Sequence, residues 1–272
     1  DGERIAGIGG IGDEAESVGE GEQFPLVGVS EDWIDTPQTT KRGMIIPITK
    51  EAIFFDRTNQ LLNEAGKIGD WLAVNKEKRA IDCVVDENVT THRHKWRGTS
   101  YATYQTTTPW DNITASNGLV DWTDIDAAEQ TFNAITDPST GEPIAIEPTH
   151  IICCKQNEMI ARRILSATQI VTHVGGYATS GNLSETQWPN PYGSKYTIVS
   201  TRLLASRTAT DTDWFFGNPT KAFIYMENWP IAVIRQDEGH DMFHRDIVTQ
   251  FRASERGQYY VLEPRAMVEN TA

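Results

Sequence analysis

Apolar and polar residues follow two different periods along the chain. An amphipathic helix spaces apolar residues three and four positions apart, whereas a half-buried strand alternates them with polar residues. Helical spacing recurs over residues 57–84, 121–135 and 157–167, and short apolar runs typical of strands separate and follow these segments. The sequence contains no internal repeat. The pattern therefore predicts a mixed α+β chain.

The longest helical pattern covers residues 57–84. Its apolar residues from Leu61 to Leu72 are spaced by four, three and four positions, so they share one face. A single helix over this range would be about 40 Å long at 1.5 Å per residue. Gly66 and Gly69 lower its helix propensity, and we expect a bend there.

Residues 24–55 combine two apolar runs with a polar centre. The runs are Phe24–Val29 and Met44–Ile48, and the turn-rich segment Asp35–Gly43 separates them, which is typical of a long hairpin. Each run contains a proline, so we expect both strands to lie outside any central sheet. Because a two-stranded ribbon is marginally stable in water, it should pack against the same chain or a neighbour.

The remaining segments predict strands and loops. Residues 91–110 read as an irregular loop with a short strand, and Thr149–Cys154 as a buried strand. Residues 168–194 are rich in Gly, Ser and Asn, which predicts a mobile surface loop. Further strands are expected over residues 195–237. The C-terminal segment predicts two strands around a turn at Ser254–Gly257.

Composition and charge limit the function classes. The chain is 39% hydrophobic and 23% charged, which indicates a globular protein. Its formal net charge is −14, and the first 35 residues hold ten acidic residues against one basic residue. Residues 1–22 are acidic and glycine-rich, so we expect an extended arm. This charge disfavours nonspecific binding of nucleic acid, and no apolar run is long enough to span a membrane.

Residues 7–12 match G-x-G-x-x-G, the motif of a dinucleotide-binding turn. That turn requires a hydrophobic strand before the first glycine and an amphipathic helix after the last. Only a short polar stretch precedes Gly7, and an acidic, glycine-broken stretch follows Gly12. We therefore predict no nucleotide cofactor, and interpret these glycines as flexibility in the arm.

The three cysteines, Cys83, Cys153 and Cys154, do not form a disulfide framework. Cys153 and Cys154 are predicted to be small buried residues of a strand, and a reducing compartment fits them. A zinc site would need further cysteine or histidine ligands at suitable spacing, and none is nearby.

Two histidine pairs have spacings that a metal site can use. His92 and His94 lie in a basic segment without an evident third ligand, so a solvated or interface patch is favoured. His240 and His244 have helical spacing, but the surrounding sequence favours a loop and no glutamate lies between them. We predict no metal, no catalytic residue and no enzyme activity.

Taken in order, these elements resemble the major capsid protein of tailed bacteriophages, the Hong Kong 97-type fold. Residues 246–270, with the ending Pro264–Val268, look like that family's terminal pair of peripheral-domain strands. Residues 29–43 look like its extended E-loop, and 57–85 like its spine helix. Residues 215–239 look like the strands that return from its axial domain.

The resemblance implies a division of the chain. The expected parts are an N-terminal arm (1–22), an E-loop hairpin (23–55), a peripheral domain with the spine helix (56–118), an axial domain (119–235) and returning peripheral-domain strands (236–272).

The resemblance also implies a structural function. Such a protein self-assembles through pentamers and hexamers into an icosahedral head that encloses double-stranded DNA without sequence-specific binding. Expected partners are decoration, portal and scaffolding proteins and a maturation protease, whose cleavage would explain a chain that starts at Asp1. The expected location is the virion, after assembly in the host cytoplasm. The alternatives are an encapsulin-type nanocompartment shell and a soluble nucleotide- or metal-dependent enzyme.

Tryptophan and arginine are enriched at interface hot spots, and the extended arms need neighbours. The residues predicted to make inter-subunit contacts are Trp33, Asp35, Lys41, Arg42, Arg93, Arg97 and Trp110. Some family members link an E-loop lysine to an asparagine of a neighbouring subunit, and Lys41 lies where such a lysine could be. No matching asparagine or acid is identified, so we predict no covalent cross-link.

Overall fold

The structure of the chain is a computed structural model. It describes residues 2–8, 17–21, 23–24, 31–56, 60–107, 109–138, 140–174, 184–208, 210–237 and 245–272. Three glycines of the G-x-G-x-x-G match and one histidine pair lie outside these residues, namely Gly9, Gly10, Gly12, His240 and His244. Most of the first apolar run of the predicted hairpin also lies outside them.

Within the described residues the helices are α1 Lys50–Phe55, α2 Gln60–Gly66, α3 Ile68–Val85, α4 Trp122–Ala134, α5 Glu158–Ser166 and α6 Pro219–Ala222. The predicted helices over 121–135 and 157–167 are confirmed as α4 and α5. Helix α4 begins with a capping box. The Asp121 carboxylate accepts from the Thr123 amide at 2.7 Å, and the Asp121 amide donates to Asp124 at 2.8 Å.

The strands are β1 Arg4–Ile8, β2 Glu31–Asp35, β3 Thr40–Thr49, β4 Lys95–Trp96, β5 Thr99–Ser100, β6 Thr106–Thr107, β7 Trp110–Asp111, β8 Ile113–Thr114, β9 His150–Cys154, β10 Gln169–Val174, β11 Ser184–Pro189, β12 Thr197–Thr201, β13 Trp214–Gly217, β14 Phe223–Asp237, β15 Ile247–Val261 and β16 Met267–Asn270. Three larger sheets have the orders β1-β2-β4-β5, β12-β9-β13-β16-β8 and β14-β15-β3. Two further antiparallel pairs are β10-β11 and β6-β7.

The five-stranded sheet is covered on both faces. Side chains alternate along β9, so Ile151 and Cys153 face helices α4 and α5, whereas Ile152 and Cys154 face the C-terminal half of α3. Phe216 and Phe215 of β13 divide between the two cores in the same way, and both are fully buried. The prediction that the paired cysteines are buried in a strand is confirmed.

The three-stranded sheet is covered on one face by α3 and α2. Ile68 and Leu72 from the N-terminal half of α3 pack with Ile48, Phe251 and other residues of β3 and β15. The C-terminal half of α3 packs against the five-stranded sheet. The helix therefore joins the two main sheets, with 18 residues and a length of about 27 Å.

The single helix predicted over 57–84 is found instead as α2 and α3, separated at Lys67. The break follows Gly66, where we expected a bend, and Lys67 takes non-helical backbone angles. The N-terminal half of the predicted strut is therefore a separate short helix.

The strand pairing predicted for the hairpin over 24–55 is wrong for its second strand. Strand β3 pairs antiparallel with β15, more than 200 residues away in sequence, and β2 pairs with β1 and β4. Strand β3 lies at the edge of its sheet, where a proline such as Pro47 is tolerated. The expectation that this strand lies outside the centre of a sheet is therefore confirmed.

The predicted turn at Ser254–Gly257 is also wrong, because β15 runs through it without interruption. Every residue of this segment pairs with β3, and most also pair with β14. The polar Glu255 is fully buried and makes an ion pair with Arg79 of α3. Pairing with β3 and with Arg79 of α3, rather than local turn chemistry, determines the structure of this segment.

Two other segments differ from expectation. The predicted loop over 168–194 contains the antiparallel pair β10-β11 at its described ends. Of the further strands expected over residues 195–237, those at 221–226 and 231–237 form one strand, β14, with irregular pairing on either side of Trp229. Bulges of this kind allow a strand to bend without ending.

The N-terminal segment is attached to the body by β1. Gly7 in this strand pairs antiparallel with Asp32 of β2. A dinucleotide-binding turn follows a central parallel strand, and β1 is an edge strand of an antiparallel pair.

Candidate assembly surface

The three-stranded sheet has one face that no described element covers at Ile45 of β3 and Ile234 of β14. In the register of the sheet, Arg252 of β15 lies between Ile45 of β3 and Ile234 of β14, so these three side chains share a face. Ile45 is 56% exposed and Ile234 is 48% exposed. We call the surface formed by Ile45, Trp229, Ile234 and Arg252 the outer face.

Trp229 extends the outer face at the irregular part of β14. Trp229 is 41% exposed, and the Arg256 guanidinium lies 5.7 Å from the centroid of its ring. Arg256 also donates from Nε to Thr39 Oγ1 at 3.0 Å, which fixes the arginine beside the ring. An exposed tryptophan beside an arginine has the composition of an interface hot spot.

The helical side of the same region also exposes large apolar side chains. Phe54 and Phe55, at the end of α1, are 81% and 76% exposed, and their rings meet edge to face at 5.3 Å. Trp71 and Val74 of α3 are 50% and 44% exposed. Exposed patches of large apolar side chains mark interaction surfaces.

Three of the predicted contact residues, Trp33, Asp35 and Arg97, come together at the sheet that attaches the N-terminal segment. Asp35 makes an ion pair with Arg4 at 2.9 Å, and the Arg4 guanidinium lies 5.3 Å from the centroid of the Trp33 ring. Arg97 donates to Asp32 at 3.0 Å.

Asp32 also accepts from Trp96 Nε1 at 2.6 Å. Burial alone would raise the pKa of Asp32, but the hydrogen bonds from Trp96 and Arg97 outweigh it and hold the pKa below its usual value. This carboxylate therefore stays ionised and anchors β2 to β4.

Arg93 belongs to a buried network centred on Asp86. The Asp86 carboxylate accepts from His92 Nε2 at 2.9 Å, from Arg93 Nε at 2.9 Å and from the Thr103 amide at 2.7 Å. Desolvation raises the pKa of Asp86, but these hydrogen bonds, led by that from His92, lower it overall. Asp86 ends α3 in the left-handed conformation, at φ 55°.

The preference for a solvated or interface patch at His92 and His94 is wrong. The two residues are 2% and 5% exposed, and each ring has a partner inside the fold. His94 Nδ1 lies 3.2 Å from the Val261 carbonyl oxygen. Desolvation by burial lowers the pKa of His94, which favours the neutral ring.

Trp110 is corrected as a contact residue. It is 5% exposed and donates from Nε1 to the Thr103 carbonyl at 3.2 Å, so it fills the interior of its own chain. Lys41 is exposed on β3, and its neighbour Arg42 is half-buried and lines a pocket beside α3. Apart from Trp110, the predicted contact residues stay predictions.

The described residues contain no group of three or more histidine, cysteine or acidic side chains placed to hold a metal. The three cysteines are free and buried, and desolvation by burial raises the pKa of each, to about 12 for Cys153 and about 11 for Cys154. They are poor nucleophiles and poor ligands in this state. None of the described helices has the length and apolar character to cross a membrane.

The fold is shared with solved phage structures. The chain aligns over 99% of its length with 81% of a chain titled Gordonia phage Cozz, at 12% identity and a TM-score of 0.57. It aligns over its whole length with 87% of a Mycobacterium phage Ogopogo chain (14% identity, TM-score 0.56). It also aligns over its whole length with 83% of a chain from the capsid structure of the cyanophage P-SCSP1u (15% identity, TM-score 0.52). Sequence identities this low show the fold alone.

The sequence itself supplies the family. Residues 34–270 match the family described as phage capsid protein, and the chain belongs to that family. No curated protein matches the chain. The expected α+β capsid fold is therefore confirmed, and the protein is a major capsid protein, a structural component of the virion. Capsid assembly implies that the chain associates with copies of itself in a shell.

Sequence reasoning missed the residues of the outer face. Ile45 and Ile234 lie in apolar runs, and such runs do not distinguish a side chain of the core from one on an uncovered face. For β15, Phe251 and Ala253 alternate with the polar residues Gln250, Arg252 and Ser254, and this alternation is a strand signal that continues up to the predicted turn.

Proposed function

We propose that the chain forms an icosahedral head of pentamers and hexamers around double-stranded DNA, and that the outer face is covered by a neighbouring copy. The observation that carries this proposal is the exposure of Ile45, Trp229 and Ile234 on one face of a sheet whose other face is packed. The boundaries of the arm, E-loop, peripheral and axial parts remain part of the proposal.

The energetics favour burial of this surface in an assembly. Removal of apolar surface from water contributes about 25 cal/mol per Å². A stable protein interface buries about 1,200–2,000 Å² in total. Phe54, Phe55, Trp71 and the outer face provide large apolar side chains in the same region as charged residues such as Lys41 and Arg252. This combination of apolar anchors with a charged rim suits contacts that repeat around a symmetric shell.

Enclosure of DNA follows from the same proposal. A chain with net charge −14 has little excess of basic residues to hold DNA tightly, so the DNA is enclosed rather than bound by sequence. We assign assembly to the host cytoplasm, together with portal, decoration and scaffolding proteins and a maturation protease. We propose no catalytic activity and no covalent cross-link between subunits. Boiled, reduced particles should therefore run as single chains on a denaturing gel. A covalent ladder would contradict this point.

The experiment combines sizing and imaging of the purified chain with variants at position 234. We expect wild-type protein to form closed particles in electron microscopy and light scattering. Ile234→Lys places a charge in the outer face and should abolish closed particles, whereas Ile234→Val should keep them. A wild-type chain that stays a 30.4 kDa monomer under all conditions would overturn the proposal. Normal particles from Ile234→Lys would show that the outer face is not an assembly contact.

Particle contents separate the head from a nanocompartment shell. Particles isolated from infected cells should contain nuclease-protected double-stranded DNA. Particles that lack DNA and instead enclose a protein cargo would favour the encapsulin alternative.

A further inference from the structure

A pocket of about 320 Å³ lies between α3, β15 and the segment that follows α3. Three arginines contribute to its lining, together with polar groups of the neighbouring elements. The lining residues used below are Arg42, Asn75, Arg79, Asp82, Arg207 and Gln258, and we call this cavity the arginine pocket.

The positive charges of the arginine pocket exceed its negative charges. Arg207 Nε lies 3.2 Å from Asp82 Oδ1, and Arg79 makes an ion pair with the fully buried Glu255. Each of these two arginines therefore has one carboxylate. Arg42 lies opposite the same Glu255 in the register of β3 and β15, but among the described residues it has no ion pair of its own, and its Nε is buried without a hydrogen bond. One guanidinium charge is left over.

Arg79 retains an open donor in the same cavity. Its Nε donates to Asn75 Oδ1 at 3.1 Å and its Nη2 to Glu255. Its Nη1 is buried without a hydrogen-bond partner in the described chain, as are the Tyr225 hydroxyl, which also acts on the pKa of Arg79, and Glu255 Oε2. A buried donor that lacks a partner costs about 1–3 kcal/mol. Desolvation, and then the nearby charge of Arg42, lower the pKa of Arg79 below its usual value. The two arginines thus repel each other across a cavity that has room for a ligand.

We propose that the arginine pocket is a binding site for an oxyanion, a carboxylate or a phosphate group, held by Arg42 together with Arg79. The planar guanidinium presents a fork of N–H donors that matches both groups. The guanidinium groups of Arg42 and Arg79 both line the pocket, and the charge of the oxyanion balances the excess of one. Two sources supply this chemistry: free phosphate, and an acidic side chain from a second copy of this acidic chain.

The test is a thermal-melting titration of the unassembled full chain with sodium phosphate and with sodium glutarate, against sodium chloride at equal ionic strength. The variants are Arg42→Gln, Arg42→Lys and the control Arg163→Gln, which removes the same charge from an exposed position on α5. For wild type we expect a saturable rise in Tm of about 5 °C in at least one oxyanion. Arg163→Gln should retain this rise, Arg42→Lys should retain part of it, and Arg42→Gln should lose it.

A folding defect is not expected to hide the result. Because Arg42→Gln removes the repulsion on Arg79, it should melt at or above the wild-type temperature in chloride. An equal oxyanion response in wild type and Arg42→Gln overturns the proposal, and so does a wild type that responds to neither oxyanion. Both results are independent of assembly, so they do not depend on the proposed function.

Assembled particles distinguish the two sources. If a carboxylate of a neighbouring chain occupies the arginine pocket in the shell, phosphate will shift the melting of the unassembled chain but not that of particles. If free phosphate is the ligand, both will respond. Each result supports the site and identifies its source.

Discussion

The five-stranded sheet and the three-stranded sheet have opposite relations to solvent. The five-stranded sheet buries side chains on both faces, and Trp214, Phe215 and Phe216 of its central strand are each 0% exposed. The three-stranded sheet has a smaller core on one face, and Ile45 and Ile234 remain about half exposed on the other. The first region is complete within one chain, whereas we propose that neighbouring copies complete the second.

Because of this difference, we expect substitutions in the two regions to have different effects, one on folding and the other on assembly. A change inside the five-stranded region should affect folding, and assembly only as a consequence. A change on the outer face should leave the unassembled chain stable and act on assembly directly. Helix α3 contacts both regions, so its fixed position holds the outer face relative to the folded core.

The largest expected effect is in the five-stranded region, at Phe216. Its ring is fully buried and packs against Phe132, Trp214 and Tyr196 with centroid distances of 5.0–6.3 Å. Phe216→Ala should lower the free energy of unfolding by about 3–5 kcal/mol, because it removes apolar contacts and leaves a cavity. Urea unfolding of the unassembled chain measures this. The control Val120→Ala, at a position 75% exposed, should change it by less than about 0.5 kcal/mol.

The next effect is at Gly217, which has φ +147°. A Cβ at this position would lie 2.2 Å from the Ala266 carbonyl oxygen, so β13 and the segment that leads into β16 would have to separate. Gly217→Ala should cost about 3 kcal/mol in the same assay. In contrast, a Cβ at Gly66 meets nothing within 4 Å at the end of α2, and Gly66→Ala should be neutral or stabilising. Equal losses from the two variants would contradict this explanation.

A pH-dependent effect is expected at Glu269 of β16. Desolvation, followed by the charges of Asp213, Glu87 and Asp86, raises the pKa of Glu269 from 4.5 to about 7. The folded chain therefore binds more protons than the unfolded chain between pH 4.5 and 7, and the contribution of this group to stability falls as pH rises through that window. Relative to Glu269→Gln, wild type should lose about 2 kcal/mol between pH 5 and pH 8. A constant difference between the two proteins would contradict this pKa.

The smallest effect is expected in the three-stranded region at Lys76. Its Nζ lies 2.9 Å from Glu227 Oε2 and 3.9 Å from the centroid of the Tyr225 ring, and both partners belong to β14. Lys76→Gln should cost about 0.5–1 kcal/mol, because the ion pair is partly exposed and the cation–π contact adds to it. The control Lys67→Gln removes an exposed pair with Glu64 and should cost less.

Local patterns were sufficient for part of this fold. Helix α4 is predictable because a capping residue, Asp121 or Thr123, lies at its start and because Ile125, Ala128 and Phe132 share one face. The structure shows Asp121 as the cap, and all of these signals lie within about a dozen residues. The buried strand β9 is predictable from the short apolar run Ile151–Cys154, which is also a local signal. Both elements depend mainly on their own sequence.

Long-range pairing was not predictable in the same way. The polar segment Ser254–Gly257 has the composition of a turn, yet Glu255 is a strand residue because Arg79 of α3 provides its charge partner. The partner of β3 lies more than 200 residues further along the chain, and nothing near β3 identifies it. Likewise, the apolar character of Ile45 and Ile234 does not show that they lie on the uncovered face of the sheet.

Thiol accessibility at position 234 tests the central claim most directly. The native cysteines are at most 1% exposed, so an Ile234→Cys variant carries a single accessible thiol on the outer face. We expect this thiol to react rapidly with a water-soluble maleimide in the unassembled chain and to be strongly protected in intact particles. Disassembly of the particles should restore the reaction. Equal labelling rates in particles and unassembled chains would contradict the claim that a neighbouring copy covers the outer face.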